Sequence, residues 1–394
     1  MTRFGVLLLM LFTFQVSAAP PQKSAVMPMG PDAKTPKYIT FDAPHAGKKA
    51  MQGTVAISIN TAGAITGDYV ADSDPSTHAF VRSADGTTIS EFDSPHAGKG
   101  QNQGTFSFGI NTKGVVTGMY ADSTDAYHGF VRSADGKTIT EFDAPGAGTS
   151  GHRGTNPLSI NAKGTIAGNY DTGSAQTVTH WHGFVRTAKG VITSFDAPGA
   201  GTGDKQGTAP PVAINAKGVI TGTYTDSRFV HHGYIRDAKG GMTTFDAPGA
   251  GNAPGPFKGL QFQGTIPVCI NTAGVVAGVY ADSSFVVHAF VRATDGSIQA
   301  FDAPGAGGSG TFGTVAFSIN TAGVIAGVYQ DNNGVVHGYS RAVNGTLTVF
   351  DAPGAGGNGF LPGTGAFSLN TKGNIVGGFS DSNNVYHGYL RTPK

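Results

Sequence analysis

Cysteine is almost absent from this chain. Cys269 is the only one in 394 residues, so no intramolecular disulfide is available and the fold must be held by its core. Charge is also scarce. Asp, Glu, Lys and Arg together make up 13%, with a formal net charge of +1 that falls near zero once the first 19 residues are set aside. No Lys/Arg cluster occurs, which excludes the concentrated positive face that nucleic-acid binding requires. No apolar run after residue 19 approaches 18 residues, so the sequence predicts no membrane-spanning helix. Stretches with helical periodicity are missing too, which excludes βαβ organisation. Gly-x-Ser-x-Gly, His-Glu-x-x-His and Walker-type phosphate loops are all absent.

Glycine is abundant, at 61 residues against a usual ~7%. It follows no Gly-X-Y period, and Val, Ile, Phe and Tyr run between the glycines, so neither collagen nor disorder fits. Short β-type runs separated by glycine turns remain, the composition of an all-β fold. At the amino terminus, Arg3 precedes the apolar run Phe4 to Val16 and the small residues Ser17-Ala18-Ala19. Residues 1–19 therefore read as a secretory signal peptide, residues 20–36 as a flexible segment, and the mature chain as secreted, periplasmic or extracellular.

An internal repeat dominates the remainder. Phe-Asp recurs from Phe41-Asp42 to Phe350-Asp351, an Asn recurs from Asn60 to Asn370, and a His recurs from His78 to His387, each seven times at spacings of 49 to 56 residues. One repeat reads as four strands. Ser107–Asn111 is followed by a Gly114 turn, then Val115–Tyr120, then His128–Arg132, then a Gly136 turn and Lys137–Asp143. Such a meander cannot bury both faces alone, whereas seven stacked side by side can. The chain starts with a lone fourth-type strand at Tyr38–Asp42 and ends after a third-type strand at His387–Arg391. The sequence thus predicts an all-β, seven-bladed β-propeller over residues 37–394, closed by the N-terminal strand completing the last blade, with the register open by one strand.

The pattern Ile-Asn-x-x-Gly-x-Ile-x-Gly-x-Tyr followed by His-Ala/Gly-Phe resembles the HAF family of probable extracellular bacterial repeats. His78-Ala79-Phe80 and His288-Ala289-Phe290 carry the motif itself, and the other five copies read His-Gly-Phe or His-Gly-Tyr. The closing Phe-Asp-Ala-Pro-Gly-Ala-Gly marks a divergent subgroup. The resemblance spans all seven repeats and implies export and a repeat fold; it supplies no catalytic residues.

The recurring His128, Arg132, Asp143 and Asn111, with their counterparts, read as scaffold, with Arg and Asp expected to pair. Cys269 falls in a slot filled by Ser58, Ser159, Ala213 and Ser318, and reads as a small buried side chain. Asp122 and His128 are too few ligands for a metal, and the three Gly-x-Gly-x-x-Gly matches are followed by strands rather than helices, so neither a metal nor a cofactor is predicted. Function should show where repeats differ. The Asp-to-His spacing of six widens to eleven between Asp171 and His182, a stretch carrying His180 and the sole tryptophan, Trp181. The link from Phe245 to Gly264 is lengthened by Asn252 to Gln263, with Phe257, Lys258 and Phe262. Both insertions are assigned to one face, on blades three and five. The five residues Trp181, His180, Phe257, Lys258 and Phe262 are thus the candidate binding residues for a carbohydrate or a protein partner. The reading favours a monomeric, non-catalytic binding propeller. An extracellular enzyme acting on polysaccharide and a structural envelope protein are the alternatives. Asp74, Glu91, Asp125, Glu141 and Asp204 are unranked candidate acids for the enzyme.

Overall fold

The computed structural model describes residues 36–173, 179–255, 262–308, 311–356 and 362–393. The proposed signal peptide lies outside the described residues. Among those described, the chain is all-β, with 29 strands and no helix, and so no helix long and apolar enough to cross a membrane.

The strands form repeated antiparallel meanders of the β-propeller kind. In unit one, strand a is Gly53–Ile59, b is Ile65–Val70, c is Thr77–Arg82 and d is Ile89–Phe92, paired in the order a-b-c-d. The b strands are buried along their length, as Ile65–Val70 illustrates, save for Thr172 at the end of the unit-three strand. The d strands are the most exposed. This gradient follows from stacking: inner strands are covered by neighbouring units, whereas the outer strand borders solvent. The same a-b-c-d pairing recurs along the chain. The last unit consists of Thr364–Leu369, Ile375–Ser380 and Tyr386–Thr392, and its d strand is Lys37–Phe41 from the start of the chain, antiparallel to Tyr386–Thr392 with Phe41 opposite Gly388. Strand a begins earlier than expected (Gly104 rather than Ser107 in unit two), and the recurring Asn opens the turn instead of ending the strand.

That asparagine explains itself chemically. In unit two the Asn111 Oδ1 accepts the backbone N–H groups of Lys113 and Val115, both at 3.0 Å, which fixes the turn to strand b. Gly114 sits in that turn at φ +86°, a conformation costly for other residues. The Asn111 Nδ2 donates to the carbonyl of Asn161 in the next unit. The same donation runs from Asn60 to Asn111, Asn161 to Asn215, Asn215 to Asn271, Asn271 to Asn320, Asn320 to Asn370 and Asn370 back to Asn60, at 3.0 to 3.2 Å. Only a carboxamide can accept twice and donate once here, so Asp could not replace it.

The recurring arginine corrects the expectation of an Arg–Asp pair. Each guanidinium lies over the strand-d phenylalanine of the preceding unit, 4.4 to 4.9 Å from the ring centroid: Arg82 over Phe41, and so on to Arg391 over Phe350. Such cation–π contacts contribute roughly 0.5–2 kcal/mol each. The aspartate instead accepts from the histidine Nδ1 of its own unit at 2.8 to 3.0 Å. The imidazole stacks on a strand-b tyrosine, as in Tyr120–His128 at 4.9 Å. These recurring groups are scaffold, as the repeat implied.

Candidate functional site

Since scaffold demands are the same in every unit, the site is sought where a unit departs from its neighbours. Unit three departs most. Its strands are Thr155–Ile160, Ile166–Thr172, His180–Arg186 and Ile192–Phe195. Trp181 and His180 lie on strand c itself, not in a loop, paired with Asp171 and Thr172 of strand b. Trp181 is half-buried and occupies the slot held by Tyr127, His231 and Tyr386 elsewhere, the residue that runs parallel to the next unit's incoming glycine. Its carbonyl accepts from Thr208 N at 2.8 Å. The Trp181 backbone therefore stands at the seam between units three and four. The His180 ring meets His182 edge-on at 4.8 Å.

The sequence reading counted Asp171 as the counterpart of Asp122 in measuring the Asp-to-His spacing; the structure corrects this. Asp171 occupies the place of Ala121 and Ala281, one residue ahead of Asp122 and Asp282, and so points to the opposite face of the strand. Six of the recurring histidines have a second carboxylate 3.5 to 3.8 Å from Nε2; His182 has none among the described residues. Asp171 is buried, and its Oδ1 accepts Gly154 N. Burial pushes its carboxyl up to about 6, against the opposing pull of that hydrogen bond and of Arg153.

Beside Asp171, Asn156 and Asn169 face one another across strands a and b. In unit five the same rung holds Ile266 and Val279, and in unit six Val315 and Val328. Both asparagines are more than nine-tenths buried, and neither Oδ1 has a partner among the described residues. The cause lies in unit four. Between units one and two, the counterpart of Asn169 is Asp68, which accepts from Ser107 N at 2.8 Å and Ser107 Oγ at 3.0 Å. Counted back from the ring asparagine, the residue of unit four in the Ser107 position is Pro211, which has no N–H. Strand a of unit four is also one residue longer from its glycine to its asparagine, and it is broken into Gln206–Gly207 and Val212–Ile214. Thirteen buried side-chain atoms lack partners among the described residues, and four are the Nε atoms of the recurring arginines. Of the other nine, five belong to unit three and the residue leading into it: Arg153 Nε and Nη1, Asn156 Oδ1, Asn169 Oδ1 and His180 Nδ1. The Pro-Pro insertion and the two asparagines were the sequence signals for this seam, and loop-length comparison alone passed over them.

Of the second predicted cluster, only Phe262 is among the described residues. Phe257 and Lys258 lie outside the described residues. Phe262 is 7% exposed, in a core cluster with Ile266, Val279 and Val315, and edge-on to the partly buried His231. It is a packing residue. Burial lowers the His231 imidazole to about 4, so it is held neutral. Cys269 is buried, with its thiol pushed up to about 12. The candidate acids are each engaged locally: Asp74 with Ser76, Glu91 with His45 at 2.5 Å, Asp125 with Gln103, Glu141 with His96 at 2.6 Å, and Asp204 with Thr179 N. No two of them form a pair by these contacts, and no group of three metal-ligating side chains occurs among the described residues.

A cavity of about 280 Å³ lies where the inner strands converge. Its wall arises from a β-bulge between strands a and b, present at the same position in six units. The bulged residues are Ile57, Phe108, Leu158, Val268, Phe317 and Phe367, all lining the cavity. Beyond them, the ring asparagines frame an opening at the a–b turns.

No protein-family model and no curated protein sequence matches the chain. Among solved structures, the chain is similar to an oligogalacturonate lyase in complex with manganese (TM-score 0.48, 9% identity, 91% of this chain and 98% of that one). It is also similar to the six-bladed fucose-recognising lectin of Aleuria aurantia (0.41, 12%, 79% and 96%) and to a Trypanosoma rangeli sialidase (0.37, 12%, 79% and 57%). At these scores nothing about activity is carried from them to this chain.

Proposed function

We propose that this chain is an exported, closed seven-bladed β-propeller that binds a hydroxyl-rich ligand, of the carbohydrate class, at the seam of blades three and four beside Trp181. Closure is supported by the asparagine ring returning from Asn370 to Asn60 and by the first strand completing the last unit. Export rests on the leader-like residues 1–19.

The observation that carries the binding reading is the set of unpartnered buried groups on blade three. A buried polar atom without a partner costs ~1–3 kcal/mol, and native folds retain few of them. Here the unmatched groups include acceptors (two carboxamide oxygens) and donors (the guanidinium N–H groups of Arg153), together with a half-buried indole and a carboxyl raised towards neutrality. A sugar presents hydroxyls that donate and accept at once, and a ring face that an indole can cover. The mixed character of the groups disfavours a simple cation or anion, each of which would use one half of them. No acid or base on the seam is matched to a nucleophile, so the reading is binding rather than catalysis.

The test is a calorimetric titration of the mature chain, residues 20–394, with neutral, acidic and fucosylated oligosaccharides. Saturable binding that Trp181→Ala and Asn169→Val each weaken at least tenfold supports the reading. Binding unaffected by both variants, or no binding by any saccharide, rejects it.

A further inference from the structure

The central cavity has a chemistry distinct from the seam, and it rests on different residues. Its wall is apolar: Ile57, Phe108, Leu158, Val268, Phe317 and Phe367 all project inward because the bulge inserts one residue into strand a and turns that side chain off the sheet face. Phe317 and Phe367, on adjacent units, meet edge-on with centroids 5.7 Å apart. This collar varies in size from unit to unit, while the residue two places further on is Ile or Leu in all seven. A position under only scaffold constraint would repeat as its neighbours do.

Next to the collar lies a belt of hydroxyls. Ser159, Ser318 and Ser368 each accept one backbone N–H from the following unit, from Ile214, Leu369 and Ile59 at 3.2 to 3.3 Å. A serine that accepts still has a proton to give, and none of the three donates to a described protein atom. Ser318 and Ser368, on adjacent units, therefore keep hydroxyl protons available to whatever occupies the cavity. Among the described residues, Asp, Glu, Lys, Arg and His are all missing from its lining. A charged occupant would be desolvated with no counter-charge, which is strongly unfavourable. At about 280 Å³ the space falls just below the ~300–1,000 Å³ of sites for drug-sized ligands, so the occupant is about one ring with a short substituent.

We infer that the central cavity is a second binding site, for a small uncharged aromatic molecule, or a single such group on a larger one, that carries one acceptor oxygen. The ring packs within the Phe108–Phe317–Phe367 side of the collar, and the oxygen accepts from the Ser318 and Ser368 hydroxyls. The site is independent of the saccharide seam.

Acetophenone is the probe, with toluene (no acceptor) and benzoate (charged) as its controls, titrated into the mature chain by saturation-transfer NMR. The expected result is saturable acetophenone binding, at least tenfold tighter than either control. Val268→Phe combined with Ile57→Phe installs residues that other units already carry there, so folding is preserved while the cavity is filled; it should abolish binding. Ser318→Ala combined with Ser368→Ala should bring acetophenone down to the toluene level. Absence of saturable binding, equal binding of toluene, or binding that survives the filled variant would each overturn the inference. Saccharide titrations on the same filled variant separate the sites: they should be unchanged, and their failure on the wild-type chain would reject the seam without touching the cavity.

Discussion

Replacing Asn156 with Ile and Asn169 with Val should make the protein more stable while removing its ligand. The two substitutions reproduce the Ile266–Val279 rung that unit five carries at the same place. Each removes a buried carboxamide oxygen that has no partner. Relief of such a group amounts to ~1–3 kcal/mol, and a β-branched cross-strand pair adds ~0.2–1 kcal/mol. The gain for the double variant is thus about 2–7 kcal/mol, in the direction opposite to most core substitutions. Equilibrium urea unfolding followed by the fluorescence of Trp181, the only tryptophan, reads it as a higher midpoint at unchanged slope. Each single variant should show about half the effect, with some coupling because the residues touch. A lower midpoint would refute the reasoning: the asparagines would then be satisfied in the folded protein, and the seam would be ordinary scaffold with bound water.

Three further outcomes follow from the same contacts. Deleting residues 37–43 removes the strand that pairs with Tyr386–Thr392 and the Phe41 ring under Arg82; limited proteolysis should then cut the last unit first. Asp68 is buried without a counter-charge, and burial raises its carboxyl from 3.8 to about 8 despite the Ser107 hydrogen bonds. A raised folded-state pKa means that stability is lost as pH rises from about 4 to about 8, so Asp68→Asn, which keeps the Oδ1 acceptor, should stabilise the protein at pH 7 by a few kcal/mol and flatten that slope. His78, His128 and His232 are raised chiefly by hydrogen bonds to Asp93, Asp143 and Asp246. Their contribution is complete below pH 6.5 and fades as pH climbs through the folded-state values. Melting temperature should therefore fall from pH 6 to pH 8, and the fall should shrink in His128→Gln.

Much of the fold was readable from recurrence alone. The Phe-Asp, Asn and His columns gave the unit, and the unpaired first strand gave its partner at the other end of the chain. The arginine column was misread because its partner, the preceding unit's phenylalanine, lies across a unit boundary that local spacing does not encode. Asp171 was misassigned because a one-residue offset on a strand reverses the face, and counting to the nearest histidine ignores that reversal. The collar was invisible for a related reason: a bulge changes which side chain turns inward, and strict alternation would have placed Ile57 and Phe108 elsewhere. Trp181 was found by its rarity, but the polar groups that give it meaning sit in strands, where attention to loops does not look.

The most direct test of the account is the pair of saccharide titrations on the wild-type chain and on the Asn156→Ile/Asn169→Val variant, run at 25 °C by calorimetry. The account predicts saturable binding to the wild type and none to the more stable variant. Equal binding by both, or binding by neither, would contradict it.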